Sequence, residues 1–225
     1  MLGFFIDMDN KILLFQELAK IFKEHGYSLY IVGGAVRDFL LGKNLQDVDL
    51  VSEATPDEIL KFYTQIDATF AKYGSIILKY KEEKFDLTTL RKEADYCDSR
   101  HPQKIIFTKD ISEDVLRRDF TVNALYLDAN LKLYDLVDGE KDLVEKVLKM
   151  IGDPNKRIQE DPLRILRAIR FSIDYDFTID EPLKKALISH YGLIKKLNPQ
   201  KIEQEIGKCS NKQKMYEMLS ELEKM

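Results

Sequence analysis

Hydrophobic residues recur at helical spacing across residues 10–25, at Ile12, Leu13, Phe15, Leu18, Ile21 and Phe22, and Gly26 closes the run. This predicts an amphipathic helix packing on a sheet. An apolar burst at 29–32 predicts a strand, and Gly33-Gly34 lets the backbone turn into a short helix over 35–41. Over 45–51, Val48 and Leu50 alternate with Asp47 and Asp49, the period of a strand, which points both carboxylates to one side. Pro56 opens a short helix to 63, and 68–71 reads as a strand. Residues 75–80 and 85–90, joined by a polar turn, read as a hairpin in which Asp86 alternates with Phe85 and Leu87. Residues 91–103, polar and broken by Pro102, predict a loop between two sheet segments. A strand at 105–107, a helix capped by Ser112 with Glu113 and Asp114 in its first turn, and a strand at 131–136 follow. From Leu143 onward the helical period takes over.

At 225 residues and 44% hydrophobic content, the chain can bury one sizeable core or two modest ones. Its net charge of −4 excludes a globally basic nucleic-acid binder, so any such contact comes from a local patch. The charge is uneven: residues 154–225 hold 14 basic against 11 acidic side chains, which leaves the deficit in the remainder. Cys97 and Cys209 lie far apart without metal-like spacing, as reduced thiols of a cytosolic protein do, and the three histidines form no ligand pattern. The first residues lack a basic signal-peptide region, and no apolar run reaches about eighteen residues, so neither a signal peptide nor a membrane span is expected. The expected compartment is the cytoplasm.

The candidate chemistry gathers at residues 30–51. A helix start carries unpaired N–H groups and a positive dipole end, which suits phosphate at Gly33 and Gly34, and Arg37 adds a charged fork. Asp47 and Asp49 side by side repel each other on a bare surface, whereas a hard divalent cation such as Mg²⁺ binds carboxylate oxygens and bridges nucleotide phosphates. Asp86 inside a half-buried strand is a candidate third carboxylate, although an edge-strand acid in water accounts for it equally well.

Together these residues resemble the DNA polymerase beta-like nucleotidyltransferase superfamily, specifically the bacterial and eukaryotic (class II) tRNA nucleotidyltransferase and poly(A) polymerase family. Two further motifs carry the resemblance, LRRDFTVNALYLD at 116–128 and QEDPLRILRAIRF at 159–171. It implies an α+β fold: a mixed-sheet catalytic head over 1–145, then an all-α neck over 146–225 that reads the nucleobase and binds RNA. The body and tail regions usual in the family are expected to be absent. Asp47 and Asp49 would hold Mg²⁺ and Asp86 would complete the catalytic carboxylates. Arg118 would clamp triphosphate, and Asp119 with Asn123 would hold ribose hydroxyls. Asp161 and Arg164 would read the base, with Arg167 and Arg170 beside them, and the 91–103 loop, which includes Arg100, would bear on nucleotide choice. The implied activity is template-independent addition of C and A to tRNA 3′ ends from CTP and ATP. Enzymes adding only A, only CC or a poly(A) tail share all three motifs, and a non-catalytic nucleotide- or RNA-binding module is the reading from a different class.

Overall fold

The computed structural model describes residues 2–43, 45, 47–96 and 102–224. The chain forms two compact units, Met1–Glu93 with Lys104–Arg118 and Asn123–Val137, and Ala94–Gln103 with Asp119–Val122 and Asp138–Met225. The division is thus interleaved where the sequence suggested a single cut at 145/146.

The first unit begins with α1 (Leu2–Glu24), β1 (Leu29–Val32), α2 (Gly34–Leu40), β2 (Asp49–Ser52) and α3 (Pro56–Ile59). It continues through β3 (Ile66–Asp67), β4 (Ser75–Tyr80) and β5 (Glu83–Thr89). After β6 (Arg91–Tyr96) and β7 (Pro102–Phe107), which pair separately, come α4 (Ile111–Asp114), β8 (Leu125–Leu127) and β9 (Leu133–Asp135). One seven-stranded mixed sheet runs β3-β4-β5-β2-β1-β8-β9. Strands β2 and β5 are parallel, while β1 is antiparallel to both β2 and β8. Most of the predicted stripe on α1 is buried, with Phe15, Leu18 and Phe22 in the same core as Ile31, Leu50 and Leu87, but Leu13 is exposed and Leu14 takes its place inside. That burial gives the sheet a rigid backing, since each large apolar side chain removed from water contributes about 1.5–3 kcal/mol.

Several local expectations are corrected. The segment read as a loop over 91–103 holds β6 and the start of β7, because polar strands that pair with each other apart from the main sheet carry no apolar signature; residues 97–101, with Cys97 and Arg100, lie outside the described residues. Residues 68–71 are not a strand: the chain leaves β3 through a turn into a 3₁₀ segment at Ala71–Tyr73 that closes on Gly74 at φ +78°. Strand β2 begins only at Asp49, so Asp47 lies in a bend ahead of it. Helix α1 starts far earlier than residue 10.

The second unit holds α5 (Gly139–Val144), β10 (Val147–Leu148), α6 (Pro154–Glu160), α7 (Leu163–Asp174) and β11 (Thr178–Ile179). Helices α8 (Glu181–His190), α9 (Pro199–Gly207) and α10 (Lys212–Lys224) complete it. A short parallel ladder of β10 with β11 departs from the all-α expectation. Its core gathers Leu163, Leu166 and Ile169 from α7 with Phe120, Leu183 and Met215. Helix starts are fixed by side-chain caps: Asp153, Asp180 and Asn198 accept from the N–H groups of Asn155, Leu183 and Gln200, each with proline in the following first turn. Among the described residues no helix is long and apolar enough to cross a membrane.

Candidate active site

Three aspartates converge on the first unit. Asp49 opens β2, and the parallel pairing makes Asp86 of β5 its register partner, so the two side chains share a sheet face. Asp47 precedes them by one bend, and all three are exposed. The protein packed around Asp49 and the facing Asp86, with Asp47 adding to them, hold the Asp49 carboxyl above the usual carboxylate range against the opposing pull of Arg118. Asp86 therefore joins Asp49 through topology, over a sequence distance that periodicity alone does not bridge. Among the described residues, no group of three or more His, Cys, Asp or Glu side chains is gathered tightly enough to enclose one cation.

Behind the carboxylates, Gly33 turns the chain from β1 into α2 at φ +75°, a conformation that a side chain strains, and its N–H donates to the Leu125 carbonyl at 3.2 Å. A Cβ on Gly33 would lie 4.0 Å from Arg118 Nη1, so the guanidinium faces the turn at contact distance. Arg37 is only 4% exposed: its Nε donates to Asp38 at 3.0 Å and its Nη1 to Asn123 Oδ1. Arg37 and Asn123 thus brace the glycine turn from within. Both were candidates for direct nucleotide contact, and each is committed to the other in this structure.

Arg118 is positioned by residues that the sequence reading passed over. Its Nε donates to the Tyr126 hydroxyl at 2.8 Å and its Nη2 to Asp114 Oδ2 at 2.9 Å, while the Tyr126 hydroxyl donates to the same Asp114 oxygen at 2.9 Å. Arg117 Nε and the Arg91 N–H hold the other oxygen at 2.7 and 3.1 Å. Asp114 is fully buried; burial alone would raise its carboxyl, and the Arg118 and Arg117 guanidiniums outweigh that and hold it down at about 2. Burial, partly offset by Arg118, pushes the Tyr126 phenol up, so it remains a donor. The available signal was an acid four residues before Arg118 on one helical turn.

On the second unit, Asp119 accepts from Arg167 Nε at 2.7 Å and from Arg167 Nη2 at 2.5 Å, and from the Phe120 N–H at 2.8 Å. Burial works against the Asp119 charge, and Arg167 overcomes it, leaving the carboxyl below its ordinary value. Asp161 precedes α7, where its Oδ1 accepts from the Leu163 N–H at 3.1 Å. Arg164, read as lying on the charged flank, is 5% exposed and donates to the Arg157 carbonyl at 2.5 Å, with Glu160 3.6 Å away. Arg170 reaches away along α7: its Nε donates to Glu205 at 2.6 Å and its Nη1 to Asp174 at 3.4 Å, over the face of Phe171. It therefore ties α7 to α9.

The family described as the Poly A polymerase head domain matches residues 29–149. The CCA-adding enzyme of Staphylococcus saprophyticus is 36% identical over 187 residues, covering 83% of this chain and 47% of that protein. That of Lactobacillus helveticus is 36% identical over 186 residues, with 83% and 47% covered. Among solved structures, the Bacillus stearothermophilus CCA-adding enzyme in complex with CTP superposes with a TM-score of 0.80 at 27% identity, over 87% of this chain and 47% of that one. A tRNA nucleotidyltransferase complexed with a primer tRNA and an incoming ATP analog superposes with a TM-score of 0.76 at 30% identity, over 92% of this chain and 60% of that one. The chain spans about half the length of the curated relatives it matches.

Proposed function

The chain belongs to the Poly A polymerase head-domain family shared with the CCA-adding tRNA nucleotidyltransferases, and on that premise we propose that it transfers nucleoside monophosphates from CTP and ATP to tRNA 3′ ends without a template. The observation that carries this reading is the register pairing of Asp49 with Asp86 beside a glycine turn faced by Arg118.

The donor set suits Mg²⁺. The like-charged Asp47 and Asp86 crowd Asp49, an arrangement that costs free energy in the absence of a cation. The carboxylates line an open floor, as Mg²⁺ requires, because it keeps several waters and takes one or two carboxylates together with substrate phosphates. Asp47 and Asp49 would hold it, with Asp86 alongside, and when bound it supplies Lewis-acid activation of the attacking hydroxyl and neutralisation of the departing pyrophosphate.

In the transfer, the RNA 3′-oxygen forms a bond to the α-phosphorus, the bond from that phosphorus to the bridging oxygen breaks, pyrophosphate leaves and the hydroxyl proton is released. No side-chain nucleophile takes part. Arg118, held by Asp114 and Tyr126, faces the glycine turn with its guanidinium in a fixed position, a preorganised charge for triphosphate oxygens. Arg37 and Asn123 keep that turn in place.

We assign base reading to Asp161 and Arg164 of the second unit, with Asp119 holding Arg167. Cytosine and adenine each offer an exocyclic amine donor beside a ring-nitrogen acceptor, whereas uracil and guanine offer a carbonyl beside a ring N–H. A carboxylate next to a guanidinium complements the first pair; the second leaves charged groups unpaired, at about 1–3 kcal/mol for each mismatch. The proposed compartment is the cytoplasm, where tRNA is the acceptor. Asp49→Ala tests the catalytic assignment: incorporation is lost while ATP binding persists, and unchanged incorporation would remove Asp49 from the site.

A further inference from the structure

We infer that the cleft on the first unit beside Asp49 and Asp86 binds the 3′-terminal nucleoside of the acceptor RNA, with the Phe70 ring as the surface on which its base stacks; this rests on the nucleotidyl-transfer reading above. The cleft has a volume of about 580 Å³, within the range of about 300–1,000 Å³ usual for small-molecule sites. It is lined by these two carboxylates and a third, Asp67, and by Ile77, Ser75 and Thr88 from the same face of β4 and β5. Ile77 is the register partner of Asp86, so the apolar floor begins one strand away from the carboxylates. Phe70 stands on the cleft wall and is 59% exposed.

A large aromatic side chain left in water is unfavourable unless something covers it, and this one is held out deliberately. The Tyr73 carbonyl accepts from Arg91 Nη1 at 2.5 Å, and the Gly74 carbonyl accepts from the Thr89 N–H at 2.7 Å. Gly74 packs so closely on Phe107 that an added Cβ would meet its ring at 2.6 Å. The turn that carries Phe70 is therefore fixed, and fixing a surface in its binding conformation reduces the entropy lost on association. The neighbouring chemistry selects the occupant. A terminal nucleoside has a π face for Phe70, and its ribose offers hydroxyls to Ser75 and Thr88, which hydrogen-bond each other at 3.3 Å. Its 3′-oxygen must arrive beside Asp49 and Asp86 for transfer to occur. A protein partner would use the ring and leave the carboxylates and hydroxyls without a role.

The test is equilibrium binding, by fluorescence anisotropy without nucleotide, of a short 5′-labelled single-stranded RNA ending in CC. It is repeated with the same RNA lacking only the terminal base. Phe70→Ala weakens binding of the intact RNA roughly tenfold, the scale of one base–aromatic stack, and leaves the abasic RNA within about twofold; Phe70→Tyr restores intact-RNA affinity. Equal weakening of both RNAs, no weakening of either, or no binding by the wild-type chain overturns the inference. Phe70-dependent binding by a wild-type chain that incorporates no nucleotide supports the cleft assignment while removing the catalytic reading.

Discussion

Asp49 and Asp86 face each other as register partners of the parallel strands β2 and β5, two acids on one face of a sheet. Such a pair is costly unless a cation joins it. Mg²⁺ is therefore expected to raise the Tm of the wild-type chain and to leave that of the Asp49→Asn/Asp86→Asn double variant unmoved. Either single substitution lowers incorporation at least on the order of 100-fold without lowering the metal-free Tm, because it relieves the crowding. A metal response that survives in the double variant would place the cation elsewhere.

Asp114 links stability to pH. Its carboxyl is held at about 2 in the fold against an ordinary value of 3.8, a depressed acid, so its contribution is present above about pH 4 and is lost as pH falls toward 2. The difference corresponds to about 2 kcal/mol. Asp114→Asn should lower stability by that order at pH 7 and flatten the acid limb of the stability profile, as read by urea denaturation. An unchanged acid limb would show that Arg117 and Arg118 do not depend on it.

Tyr126→Phe removes one hydroxyl from a buried site and with it one of the acceptors that Arg118 Nε shares with Asp114. The expected result is a loss of about 1–3 kcal/mol in stability and a rise in KM for ATP and CTP larger than the fall in kcat. Equal changes in both nucleotide and RNA parameters would point to general damage rather than to a displaced arginine.

Asp119 and Arg167 form a pair in which the arginine side chain is 30% exposed, so the coupling is modest, about 1 kcal/mol after solvent screening. Asp119→Asn should release Arg167 and relax discrimination against UTP and GTP more than it lowers CTP incorporation. A double-mutant cycle with Arg167→Ala reads the coupling, and additivity would dissolve the link.

Much of this was visible in the chain itself. The apolar burst at β1, the hairpin of β4 with β5 and the buried face of α7 follow from local sequence pattern, and the spacing of Asp47 and Asp49 from Gly33-Gly34 marks the candidate site. What stayed hidden depends on long-range pairing. The β2–β5 register that brings Asp86 to Asp49 crosses the whole β3–β4 excursion. Strand β8 is only three residues long, too short to show a period of its own. The commitments of Arg37 to Asn123, and of Asp114 and Tyr126 to Arg118, are satisfied-hydrogen-bond facts that side-chain type alone does not reveal. Residues 91–103 misled because a polar two-stranded ladder apart from the main sheet resembles a loop in sequence.

The most direct test is incorporation of each of the four labelled nucleoside triphosphates, singly and paired, with Mg²⁺, into tRNA transcripts ending before the tail, after C and after CC. The account predicts addition of C and A alone, ending once CCA is complete, with UTP and GTP rejected. Addition of only A or only CC would assign a partial enzyme with the same site, and indiscriminate incorporation of all four nucleotides, or of none, would contradict the assignment of Asp49, Asp86, Asp161 and Arg164.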